Sequence, residues 1–255
     1  MATQFHPSDL ATLADLGAEA PRSPPAVPKR SDRIYVAMGL LLLVLVALAF
    51  GARYFGRAFT DAPPLPLFVH VHVFLFIGWI LLFTIQATLA QNGRFRHHRQ
   101  LGLVGMGLGV IVVVAGLYSA IQGARRGHNP GGAPNALVFM IVGVGDIALF
   151  AAFVGAAWYL RKQRELHKRL MLFATLGGFL WPTIVRLPFA SGNPPIGIGI
   201  LAFVLLIPLV TNWITRRRMH ALDVIGAVAI FGSFPLRMAI GSTNTWQRFA
   251  AWLIS

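Results

Sequence analysis

Long apolar runs at about residues 34–54, 65–90, 101–123, 136–160, 169–188, 195–215 and 222–241 dominate this sequence. The hydrocarbon core of a bilayer is about 30 Å thick, and a helix needs about 20 predominantly apolar residues to cross it. Each run meets that length. Inside hydrocarbon there is no water to bond an open backbone, so each run must close its own hydrogen bonds as a helix. The dyad alternation of an outer-membrane barrel is absent. The expectation is an all-α chain, a polytopic membrane bundle of about seven transmembrane helices. Composition agrees, with 56% hydrophobic and 12% charged residues, where a soluble domain carries about 25% charged.

The breaks between runs carry turn chemistry: DAPPLP, QNGRFRHHRQ, RRGHNPGGAPN, RKQRELHK, PFASGNPP and TRRRMHALD. Residues 1–32, with the proline-rich and basic PRSPPAVPKR, are expected to be a disordered cytoplasmic tail. Residues 33–242 form the expected transmembrane domain. Residues 243–255 form a short interfacial helix, with Trp246, Phe249, Ala250 and Leu253 on one face.

Charge sets the expected orientation. Most of the 22 Lys and Arg fall in segments 1–33, 91–100, 161–169 and 216–218, which share one side of a seven-span thread. Cytoplasmic loops carry the excess of Lys and Arg, so the N-terminus is expected inside and the C-terminus outside, in a bacterial inner membrane. The net charge of +14 is interleaved with apolar runs. It therefore reads as a topology signal and a partner for anionic lipid, not as a nucleic-acid surface. With no cysteine in the chain, disulfides, thiolate metal sites and covalent c-type haem are excluded.

Small residues mark expected helix contacts: Gly102, Gly105 and Gly109 in the third run, and Gly145, Ala148 and Ala152 in the fourth. Ionisable groups inside apolar runs are rarer and costlier, at about 2.5–3.5 kcal/mol near the bilayer centre even on a lenient scale. His70, His72, Asp146, Arg186 and Arg237 are such groups, all placed in the outer half. Asp146 and Arg237 are expected either to pair across the fourth and seventh helices or to line a cavity. Pro182 and Pro235 lie just before the two arginines, where a kink would open space.

His70 and His72 stand about 200° apart on a helix, so they face different neighbours. His72, Trp79 and Gln86 recur every seven residues and form the candidate inward stripe. His70, His72 and Asp146 are candidate metal ligands, and Gln86, Asp146, Arg186 and Arg237 are candidate pocket residues. On the cytoplasmic side HHRQLG opens the third span and LHKRLM the fifth. His98 and His167 thus begin two helices at similar depth. Two facing imidazoles are what a six-coordinate b-type haem requires. The plainer alternative is contact with lipid phosphate.

The residues His72, Gln86, His98-Arg99-x-Leu101-Gly102, His167-Lys168-Arg169-x-Met171 and Arg186 resemble the pattern of a family of uncharacterised bacterial multi-pass membrane proteins with HR-x-LG and H-[KR]-R-x-M motifs. That resemblance spans about residues 65–190 and implies the membrane fold. More distantly, the chain is similar to transmembrane b-type cytochromes, which hold haem by bis-His ligation on paired helices. The similarity implies haem ligation by His98 and His167. It departs at the outer side, where the fourth span carries Asp146 in place of a second histidine.

The sequence thus supports electron transfer through haem b or a transition metal, with His70 or His72 in a second site. The alternatives are small-molecule binding or transport through the outer His/Asp/Arg pocket, or an accessory role in a larger membrane complex. No nucleophile elbow, phosphate-binding loop or HExxH appears, so a hydrolase is not expected.

Overall fold

The structure, a computed structural model, describes residues 32–130 and 132–255. The expected tail lies outside the described residues apart from Asp32. The described chain is all-helical, with α1 Arg33–Phe50, α2 Leu67–Gln91, α3 Phe95–Arg125, α4 Ala136–Tyr159, α5 Arg164–Ile184, α6 Pro194–Arg216, α7 Ala221–Gly241 and α8 Asn244–Ile254. A π-helical turn, Gly51–Phe55, and a 3-10 turn, Gly56–Phe59, prolong α1. The expected spans are found to within a few residues. The larger departures are at α3 and α5, whose charged openings FRHHRQ and RELHK are already helical. Hydropathy marks the part of a helix suited to lipid, whereas the helix itself begins where the turn ends.

Six helices among the described residues are long and apolar enough to cross a bilayer: α1 with its prolonging turns, α2, α3, α4, α6 and α7. The chain is a polytopic helical membrane protein. Its surface shows why. Leu40, Val44 and Leu48, one turn apart on α1, are each about half exposed (51%, 56% and 54%), and such apolar faces need lipid to cover them. α5 is the exception because it need not meet lipid. It packs against α1, α2, α4, α6 and α7, and Leu170, Leu172, Phe173, Ala174, Leu176 and Leu180 are all buried. A helix enclosed by protein tolerates Lys168 and Arg169 in its opening turns.

Lipid tails are as apolar as leucine, so helix association rests on close packing and hydrogen bonds. The small residues of α3 supply the first. A Cβ on Gly105 would lie 3.2 Å from Leu82 Cδ2, on Gly109 3.2 Å from the Trp79 ring, and on Gly102 3.4 Å from Gln86 Nε2. The inward stripe of α2 therefore runs along the glycine stripe of α3. Trp79 also donates from Nε1 to Thr175 Oγ1 on α5 (3.2 Å), and Thr175 donates to the Met171 carbonyl one turn back (2.9 Å).

α8 closes one end. Thr243 caps it through the Trp246 N–H. Trp246 donates to the Leu137 carbonyl (2.8 Å), Arg125 to the Ile254 carbonyl (2.9 Å), and Ala250 is fully buried with Ala124 and Met140. Phe249 and Trp252 remain exposed, as an interfacial helix requires.

Candidate functional site

The helices alternate in direction, so the polar residues collect at two ends. The basic end gathers the start of α1, the α2–α3 and α4–α5 turns and the α6–α7 turn. The opposite end gathers the α1–α2 and α3–α4 loops, the α5–α6 turn and α8.

At the basic end His98 of α3 and His167 of α5 come together, with ring centroids 6.3 Å apart and ring planes at 88°. His98 Nδ1 lies 3.2 Å from the Gln86 carbonyl of α2, and His167 Nδ1 lies 2.9 Å from the Ala157 carbonyl of α4. A carbonyl only accepts, so each Nδ1 carries the proton and donates. That fixes the tautomer and leaves each Nε2 lone pair for a ligand, the usual arrangement behind a metal-bound histidine.

The donor set narrows the choice of group. Among the described residues no three His, Asp or Glu side chains gather into a metal-ligating group, whereas a closed zinc site needs four ligands and a catalytic one three. A porphyrin brings four nitrogens of its own and asks the protein for two imidazoles. His98 and His167 match that number of protein ligands. Arg164 lies over the Phe95 ring (4.9 Å) beside Arg94, Arg96 and Arg99, a cationic rim suited to propionates. Gln86 Oε1 is buried without a hydrogen-bond partner.

The second polar cluster of this end was not foreseen. Arg169 of α5 donates to Asp223 of α7, and Asn212 of α6 donates to the same carboxylate (2.8 Å). Arg169 and Asp223 are each 1% exposed. Lys168 bridges Asp32 and Glu165 (2.7 Å each). This network ties α1, α5, α6 and α7. Arg169 and Asp223 stand at the very starts of the fifth and seventh apolar runs, so both read as boundary charges from the sequence. Their one hint was that Asp223 is an acid within a strongly basic break.

At the opposite end the remaining candidates separate. His70 is hydrogen-bonded through Nδ1 to the Tyr54 hydroxyl (2.6 Å), which the π turn after α1 carries round. His72 faces α3 and bonds Ser119 Oγ (2.9 Å), with its ring on Phe76 (centroids 3.9 Å). The two histidines thus turn to different helices, as their angular offset requires. Asp146 is held by Arg237 (2.6 Å), which also donates to the Val142 carbonyl (2.7 Å) and to Ser233 Oγ (3.1 Å). Of the two expectations for these residues, the α4–α7 pair is the one present. His70, His72 and Asp146 each have their own partner.

Arg186 stands apart from Arg237. It donates to the Pro182 carbonyl (2.6 Å) and to His128 Nε2 (3.2 Å), with its guanidinium over Phe50 (5.5 Å). His128 lies in the loop after α3. Desolvation first, and then the Arg186 charge, lower its pKa below the usual 6.5. The sign follows. The unfolded chain takes up this proton before the folded one, so folded stability falls as pH drops below about 6.5 and levels off once the folded form is protonated. The melting temperature in detergent is expected to fall less between pH 7.5 and 5 in His128→Gln, which keeps an acceptor, than in the wild type.

The fold and these sites define an integral membrane protein with a buried-polar bundle and a bis-imidazole pair at its basic end. Comparison with known protein families, characterised proteins and solved structures gives no match.

Proposed function

We propose that the protein is a membrane electron-transfer protein holding one b-type haem between His98 and His167. One observation carries this reading: two imidazoles from different helices, 6.3 Å apart, each with Nδ1 committed to a backbone carbonyl. When bound, the group supplies one-electron redox chemistry. The chain's own task is to fix both ring tautomers, to hold α3 and α5 at ligating distance, and to neutralise propionates with the arginines of the rim. Under the positive-inside assignment this end is cytoplasmic in a bacterial inner membrane, where the same arginines meet anionic lipid.

Protein purified in mild detergent from haem-replete cells is expected to show a Soret band and a pyridine haemochrome of about one haem b per chain, as one bis-His site implies. Either His98→Ala or His167→Ala should abolish both signals while leaving the elution profile unchanged. Colourless wild-type protein, or unaltered spectra in both variants, overturns the assignment. Tag accessibility tests the orientation: a C-terminal tag in the cytosol contradicts it.

A further inference from the structure

The opposite end of the bundle holds a cation, Arg186, with no counter-ion among the described residues. Arg186 has five N–H groups, and its recorded hydrogen bonds go to two neutral acceptors, the Pro182 carbonyl and His128 Nε2. No carboxylate lies within ion-pair distance of it among the described residues. Its guanidinium lies over Phe50 (5.5 Å), and the charge one turn further along that helix, Arg53 in the π turn, has the same sign. Buried or half-buried charges are normally paired, because desolvation is otherwise uncompensated. Here the structure brings positive groups together instead.

The surroundings deepen the imbalance. Arg57 is satisfied by the Pro63 carbonyl (2.7 Å) and Arg126 by the Phe68 ring (4.5 Å), both neutral. Among the described acids Asp61 alone lies in the loops of this end, and Asp146 is already committed to Arg237. This end therefore has donors and positive charge to spare and almost no negative charge of its own.

We propose that Arg186 and Arg53, flanked by His128, form a binding site for a phosphate-type oxyanion at the membrane surface. A guanidinium fork matches the oxygens of such a group, and charge-assisted hydrogen bonds are about twice as strong as neutral ones. The oxyanion bridges the two arginines and converts their repulsion into attraction. Neutral His128 holds Arg186 from the loop side, so binding also draws the α3–α4 loop onto the end of α5. Two sources offer this chemistry: the headgroup of an anionic phospholipid, and free inorganic phosphate. The site is independent of the haem pair, which lies at the other end of the bundle.

The test uses the full-length protein in neutral detergent. Inorganic phosphate is titrated against a chloride control while the melting temperature is followed, and phosphatidylglycerol nanodiscs are compared with phosphatidylcholine ones. Saturable stabilisation by phosphate identifies a soluble ligand. Stabilisation by phosphatidylglycerol alone identifies a lipid headgroup. In either case Arg186→Gln and Arg53→Gln are expected to weaken the response about tenfold or more, and Arg57→Gln to leave it unchanged. Arg53 is exposed, so its variant decides the matter if Arg186→Gln does not fold. No response of the wild type to either probe overturns the site, as does a wild-type response in Arg53→Gln.

Discussion

Replacing Arg169 with Met is expected to destabilise the protein by about 3–5 kcal/mol, the usual cost of breaking a buried ion pair from one side. The substitution removes the charge and leaves the Asp223 carboxylate, 1% exposed, with Asn212 as its remaining donor. The cost is that of stranding a charge, not the net worth of the pair. The double variant Arg169→Met/Asp223→Leu should therefore recover most of the loss, since apolar replacement of a whole buried pair is often neutral. Denaturant titration in mixed micelles, read by tryptophan fluorescence, measures all three proteins. If Arg169→Met melts like the wild type, the pair does not hold α5 to α7. Because Arg169 Nε is buried without a partner, the network is incompletely satisfied even in the wild type. That favours recovery in the double variant.

The same residues show how far the sequence could be read. Spans were legible because hydrocarbon imposes length and helicity on every crossing run. The α5 helix was legible too, but its central place was not. Its opening charges read as a loop that fixes topology, whereas the structure turns Arg169 inward against a partner 54 positions away. Spacing along a chain carries no information about a contact between two helix ends that meet only in the packed bundle. Asp146 and Arg237 were easier. Each interrupts an apolar run, and the cost of an unpaired charge in lipid leaves pairing or a shared cavity as the two expectations, of which the structure has the pair. His98 and His167 were legible as two helix-opening histidines on one side. Their anchoring by the Gln86 and Ala157 carbonyls was not, since any residue supplies a carbonyl. The division of the outer polar set was hidden for a similar reason. His128 comes from a loop, and Tyr54, which reaches His70, lies in a π turn after Phe50 that no residue pattern announces.

Gly145 is where packing and the buried charge pair meet. In its helix an alanine would ordinarily be better by about 0.5–1 kcal/mol. Here the expected effect has the opposite sign. The Arg237 side chain crosses the face of α4 to reach the Val142 carbonyl and Asp146, and a Cβ on Gly145 would overlap Arg237 Cδ and lie 2.9 Å from its Nη1. The guanidinium is held at four points, counting Ser233 Oγ and the Ser233 carbonyl, so it cannot yield without giving up a bond. Overpacking a filled site costs about 1–3 kcal/mol. Displacing Arg237 from Asp146, 3% exposed, adds part of the cost of a stranded charge. Gly145→Ala is therefore expected to lose about 3 kcal/mol, most of it through the charge pair. The background separates the two contributions. In Asp146→Ala/Arg237→Ala the obstructing side chain and the stranded charge are both gone, and Gly145→Ala should then be neutral or slightly stabilising. Equal destabilisation in both backgrounds would mean that the glycine serves some other neighbour, and that Arg237 does not lie across it.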